Sequence, residues 1–340
     1  MAIDPARDRL IRRLPKVELH LHIEGTLEPE MMMSLAAKHG LALPYGSVEA
    51  VRAAYQFSDL QSFLDLYYAG CSVLRDRHDF YALAMAYFTR AHADHVVHAE
   101  LFFDPQTHTA RGIAMGVVIS GLRDAMDDAL RRYGITSELI LCFLRHLSEE
   151  DAFATLDAAM PFRNDLLGIG LDSGERGNPP GKFERVFAKA RGLGLYPVAH
   201  AGEEGPAAYI REALDRLKVA RIDHGVRCEE DPDLVARLVR DQIPLTVCPL
   251  SNLKLRGVRE LGEHNLARLL RRGVAVTINS DDPAYFGGYI ADNYRAAAAA
   301  LELTAGELVT IAGNAVRASC LPATAKAALL GQIRWAAARA

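Results

Sequence analysis

Four short motifs carry side chains able to bind a metal ion or move a proton: His20-Leu21-His22, His200-Ala201-Gly202-Glu203, Asp223-His224-Gly225 and Asp281-Asp282-Pro283. Residues i and i+2 of a strand share a face, so His20 and His22 can aim both imidazoles at one ion. An H-x-H pair alone is a weak signal, since two such histidines are ordinarily surface or core residues. Three neutral imidazoles joined by one carboxylate suit a first-row divalent ion such as Zn²⁺, with room left for a water. Such an ion lowers the pKa of water from about 15.7 to near 7, giving a nucleophile at neutral pH. Each neighbour also has a plainer reading. Glu203 could be a helix N-terminal carboxylate favoured by the macrodipole, because Gly202 and Gly205 bracket a loop before Ala207. His224 could be a core histidine bonded to a carbonyl, and Asp282 could cap the turn that Pro283 begins.

Eight short apolar runs supply the strands that would position these motifs, at residues 16–22, 96–103, 137–143, 166–172, 195–200, 220–223, 243–248 and 274–279. Several are apolar at consecutive positions, as expected of parallel strands buried on both faces. Amphipathic helical patterns alternate with them, at 116–133, 182–191, 207–217, 231–240 and 261–271. Repeated strand–helix alternation points to an α/β fold, a (β/α)8 TIM-type barrel, in preference to an open doubly wound sheet. In such a barrel the active site lies at the carboxyl ends of the strands. The four motifs fall at the ends of strands 1, 5, 6 and 8. Extra helices are expected in an insertion at about 26–95, with three helical patterns at 28–39, 60–74 and 80–93, and after the last strand at about 288–340. The whole of 1–340 reads as one domain, without linker, repeat or low-complexity tract.

Bulk properties narrow the function classes. Of the 340 residues 50% are apolar and 24% charged, which is ordinary for a soluble globular chain. A net charge of -4 argues against nucleic acid and anionic membranes as partners, and leaves a small molecule. Five scattered cysteines without a C-x-x-C pair speak against a disulfide framework or a thiolate metal site. Residues 1–13 lack a signal-peptide core, and no apolar run reaches the roughly 18 residues of a membrane span. A cytoplasmic enzyme is expected, with self-association into a homo-oligomer left open.

The motif His20-Leu21-His22-Ile23-Glu24-Gly25-Thr26, with His200-Ala201-Gly202-Glu203, Asp223-His224-Gly225 and Ser280-Asp281-Asp282-Pro283, resembles the adenosine/adenine deaminase family of the amidohydrolase superfamily. The likeness runs in order from about residue 14 to 290. The segments 102–109, 171–180 and 249–252 resemble the adenine deaminase branch in particular. The resemblance implies that His20, His22, His200 and Asp281 bind one zinc, or another divalent first-row metal. It implies that Glu203 is protonated and donates to ring N1 during attack at C6. His224 would orient or deprotonate the attacking water, and Asp282 would hydrogen-bond at N7. Elementary chemistry agrees: attack on an aromatic carbon needs a general acid at the ring nitrogen, and burial beside other carboxylates keeps a carboxyl protonated.

The expected reaction is hydrolysis of adenine to hypoxanthine and ammonia, in purine salvage. In nucleoside deaminases of this family the H-x-H motif is typically followed by x-Asp-Gly. The longer Glu24 would intrude where a ribose sits, so Glu24 and Ser173 are expected at the substrate. N6-substituted adenines of cytokinin type are an alternative, with Tyr67, Tyr68, Phe102 and Phe103 as candidates to line an apolar pocket. Adenosine deamination is another, and a non-catalytic metal-binding barrel a third. Other amidohydrolases often use two metals bridged by a carbamylated lysine on the fourth strand; here that strand ends Gly170-Leu171-Asp172-Ser173, which favours one metal. His92, His95 and His98 straddle a helix–strand junction and read as structural, while His108 is equally compatible with the pocket, a helix start or solvent.

Overall fold

The computed structural model describes residues 3–339. Its eight strands are β1 (Lys16–His22), β2 (Val96–Phe103), β3 (Thr136–Leu144), β4 (Leu166–Asp172), β5 (Tyr196–Ala201), β6 (Arg221–His224), β7 (Leu245–Val247) and β8 (Val276–Ile278). They pair in parallel in chain order, β1 beside β2 and so on to β8. The ring closes where β8 returns to β1. His22 N donates to Asp281 O at 3.0 Å and Asp281 N to His20 O at 3.1 Å, so the closing seam runs through the first and last motifs. The expected (β/α)8 barrel is therefore present, and β1 is buried at every position, as a strand covered on both faces must be.

Strands 7 and 8 are shorter than their apolar runs. Only three residue pairs join β7 to β8, and Pro244, which cannot donate to a ladder, stands just before β7. Val274 and Cys248 are buried outside the ladder, so apolarity there reports packing and not pairing. Inside the barrel, Phe102, Ile140, Cys142 and Val198 form an apolar cluster separate from the main core. The Phe102 ring lies with its centroid 5.1 Å from those of His20 and His22 and 5.5 Å from that of His200, so it floors the mouth of the barrel.

The insertion after β1 holds helices Pro29–Lys38, Val48–Ala54, Leu60–Gly70 and Arg77–Ala93, one more than expected. The extra one, Val48–Ala54, starts on a Ser47 cap and buries only Val51, so it carries no apolar period to read. Helix Leu60–Gly70 begins in a reciprocal capping box between Asp59 and Ser62 and presents Phe63, Leu64, Tyr67 and Tyr68 to the barrel mouth. After β8 come a short turn of helix, Pro283–Phe286, and helices Ile290–Ala300, Ala305–Ala318 and Ala323–Ala337. No helix among the described residues is long and apolar enough to cross a membrane.

Candidate active site

The strand ends bring His20, His22, His200, His224 and Asp281 to one buried point. His20 Nε2 lies 3.1 Å from Asp281 Oδ1, His22 Nε2 lies 3.6 Å from the same oxygen, and His22 Nε2 and His200 Nε2 are 3.1 Å apart. Adjacent donors on one tetrahedral zinc ion are about 3.3 Å apart, given bonds near 2.0 Å. The donor set therefore fits a single first-row cation. The four residues whose donor atoms all lie within 4.8 Å of one another are His20, His200, His224 and Asp281, and His22 adjoins them through His200 and Asp281, so proximity alone does not choose between His22 and His224 as the third imidazole.

The outer ring nitrogens face the groups that orient metal-binding imidazoles elsewhere. His20 Nδ1 is 2.9 Å from Thr246 Oγ1, whose hydroxyl donates to Asp223 Oδ1 at 2.8 Å. His22 Nδ1 faces Asp172 Oδ2 at 3.5 Å, and His200 Nδ1 faces Asp223 Oδ2 at 3.8 Å. Burial disfavours the imidazolium: it pushes His22 down to about 4 and His224 down to about 3, and holds His200 well below the usual histidine range with the help of neighbouring imidazoles. These rings are thus neutral, the form that binds a metal or accepts a proton. Three residues at the strand ends, Ser173 (φ 72°), His224 (φ 63°) and Asp281 (φ 63°), are held in the left-handed region, a strain that collects at functional sites.

Beside the imidazoles lies a cavity walled by carboxyl groups and by apolar side chains, Leu60, Phe63, Leu64, Leu255 and Phe286 among them. Glu203 lines it, with Oε2 3.6 Å from His224 Nε2, which itself is 3.8 Å from Asp281 Oδ2. Burial, reinforced by Asp281 and Glu175, raises the Glu203 carboxyl well above the usual range. The amides of residues 202–205 are taken by Glu175, so Glu203 is not the carboxylate that caps this loop. Asp282 lines the cavity too. Its Oδ1 is buried with no hydrogen-bond partner among the described residues, and its side chain makes no cap bond to helix Pro283–Phe286. Burial and the adjacent Asp281 raise its carboxyl well above the ordinary value. His224 Nδ1 likewise has no partner among the described residues, unlike a histidine bonded to a core carbonyl.

Ser173 reaches the cavity, where it accepts from Tyr68 OH at 2.9 Å and lies 2.8 Å from His146 Nδ1. Glu24 is placed differently from the expectation. It is fully buried behind the cavity wall, where Oε1 accepts from Asp104 N (3.1 Å) and faces His108 Nε2 (2.8 Å). Its Oε1 thus reaches across to the loop after β2, while Oε2 is buried with no hydrogen-bond partner among the described residues. His108 is correspondingly buried behind Glu24, neither exposed nor lining the cavity. Tyr67 and Tyr68 line the cavity, whereas Phe102 floors the imidazoles and Phe103 belongs to the main core. His92 stacks on Tyr133 and His98 Nδ1 pairs with Thr136 Oγ1, so they do not converge on one point.

Sequence reasoning did not single out Asp104 and Asp172 as site residues, though both line the cavity. Burial raises both carboxyls, Asp172 to about 7, and Tyr67 OH donates to Asp104 Oδ2 at 3.3 Å. A usable signal existed: each closes or directly follows a strand, as the four motifs do.

Residues 15–336 match the family described as adenosine deaminase. An adenine deaminase of Cupriavidus necator is 60% identical over 333 residues, which cover 98% of this chain and 95% of the relative. Among solved structures, an adenine deaminase from Arthrobacter aurescens is similar with a TM-score of 0.94 and 50% identity, over 96% of this chain and 100% of that one. An amidohydrolase from Burkholderia ambifaria with bound Zn is similar with a TM-score of 0.89 and 25% identity, over 100% of this chain and 96% of that one.

Proposed function

The chain belongs to the adenosine deaminase family, and from that premise we propose that it hydrolyses adenine to hypoxanthine and ammonia. One observation carries the reading: a raised carboxyl, Glu203, and a neutral imidazole, His224, line one cavity with His22, His200 and Asp281, and His20 stands beside Asp281. Those four residues would hold one zinc ion, which when bound acidifies water and polarises the reacting centre.

The protein's own groups then divide the work. His224 Nε2, facing both Asp281 Oδ2 and Glu203 Oε2, accepts the proton of the attacking water. Glu203, kept protonated by burial, donates to N1 so that charge does not build on the ring as the C6–O bond forms. Asp282, protonated for the same reason, donates to N7 and fixes the plane of the purine. When the C6–N bond breaks, His224 passes the proton it took from the water to the departing amine, which leaves as ammonia, and the proton remaining on the C6 oxygen returns to Glu203 as the 6-oxo group forms. Ser173, beside Tyr68 in the cavity lining, would touch the base. The apolar side chains of helix Leu60–Gly70 line the mouth and would limit the access of other water once the base is bound.

The test is a spectrophotometric comparison of adenine, adenosine, AMP and N6-isopentenyladenine. Adenine is expected to have the highest kcat/KM; rapid turnover of adenosine with negligible activity on adenine would overturn the assignment. Stripping the protein with a chelator is expected to abolish activity and zinc to restore it. Full activity in metal-free protein would refute the metal assignment.

A further inference from the structure

Glu175 sits in the loop after β4, fully buried, and belongs to none of the four motifs. Its carboxylate accepts four consecutive backbone N–H groups of the loop after β5: Gly202 N on Oε1 at 2.7 Å, and Glu203 N, Glu204 N and Gly205 N on Oε2 at 3.0, 2.8 and 2.7 Å. Four donors on one side chain orient a loop that has no helical or strand ladder of its own. The fit leaves no slack, because a Cβ at Gly205 would stand 2.6 Å from Glu175 Cδ. Arg145, also fully buried, binds the same region from below through Nη1 to His200 O at 2.7 Å and Nε to Asn178 O at 2.9 Å. The loop of Glu175 is thereby tied to the strand end that carries His200.

We infer that Glu175 is a positioning residue for the deamination: it sets the backbone of residues 202–205, and so aims the Glu203 carboxyl into the cavity without touching substrate. The inference rests on the reading of Glu203 as the proton donor. An amide at position 175 would offer one acceptor oxygen where the loop needs two, and would turn its own donors toward N–H groups. A shift of about 1 Å in a catalytic group can cost on the order of 10²-fold in rate.

The test is a double-mutant cycle on the zinc-loaded enzyme with adenine as substrate. Glu175→Gln is expected to lower kcat about 10²-fold, with KM within about threefold of the parent and an unchanged zinc content. In the Glu203→Gln background the same change should cost almost nothing further, because the group being aimed is already gone. Losses that multiply in the double variant, or a loss of bound zinc in Glu175→Gln, would overturn the positioning role. Full activity in Glu203→Gln alone would instead refute the proton-donor reading. Should Glu175→Gln fail to fold, Glu175→Asp, which keeps the charge with a shorter reach, carries the same cycle to the same two outcomes.

Discussion

A methyl group on residue 25 would lie 2.0 Å from Asp282 Oδ1 and 2.7 Å from Asp282 Cα. Gly25 is therefore a close-approach glycine, and the first motif packs its backbone directly against the carboxyl assigned to N7. Gly25→Ala is expected to displace Asp282 and lower kcat/KM for adenine on the order of 10²-fold, with zinc content unchanged; steady-state kinetics within twofold of the parent would contradict that. The outer layer around the imidazoles makes a separate demand. Asp223 serves both Thr246, which orients His20, and the outer nitrogen of His200. Asp223→Asn should weaken zinc binding by roughly 10- to 100-fold, read by competition with a chromogenic chelator. Residues of the motifs were legible because their chemistry and their place at strand ends coincide. Glu24 was not, since sequence reports the length of a side chain and not its direction: the turn Glu24–Thr26 aims it at Asp104 and His108. Glu175 was illegible for a related reason, because its partners are backbone amides, which every sequence has.

Helix Leu60–Gly70 covers the cavity, and its start is held twice. Asp59 and Ser62 cap each other's backbone, and Leu60 N donates to Glu204 Oε1 at 3.3 Å, so the loop that carries Glu203 also touches this cover. Removing the cap with Asp59→Ala should loosen the first turn by about 1 kcal/mol. The expected result is a higher KM for adenine, with kcat retained, because Leu60, Phe63 and Leu64 line the cavity and, on the proposed function, would hold the base without touching the reacting atoms. An unchanged KM with a lower kcat would assign the helix a different part. Elements of this size were read from sequence in proportion to how much they bury. The strands and the long helices show as apolar runs or periods, and β4, Leu166–Asp172, begins and ends where its run does. Helix Val48–Ala54 buries one residue and left no trace, and the runs at β7 and β8 overshoot because residues beside a short ladder can be buried without being paired.

The barrel as a whole encloses charge, and that sets its response to acid. Arg221 and Glu100 have no exposed surface; the guanidinium donates to Glu100, to Asp223 Oδ1 at 3.3 Å and to Leu19 O at 2.8 Å, which links β6 to β2 and β1 through the interior. Burial alone would raise the Glu100 carboxyl, but Arg221 outweighs it and holds the group down at about 2. A carboxyl depressed in the folded state contributes stability that is fully present above its ordinary value, near 4.5, and is lost as pH falls toward 2. A depression of that size corresponds to roughly 3 kcal/mol. The pair is still no free gain, since both ions left water, and removing one partner strands the other. Glu100→Gln should therefore be less stable than the parent at pH 6, by about 3 to 5 kcal/mol. The gap should narrow as pH is lowered from 4.5 to 2, where the parent's own carboxyl takes up its proton. Denaturant melts of parent and variant at pH 6, 4 and 3 measure this difference directly, and contributions common to both proteins cancel. A gap that stays constant across that range would mean that Arg221 does not hold Glu100 ionised, and that this crossing of the barrel is stabilised by packing alone.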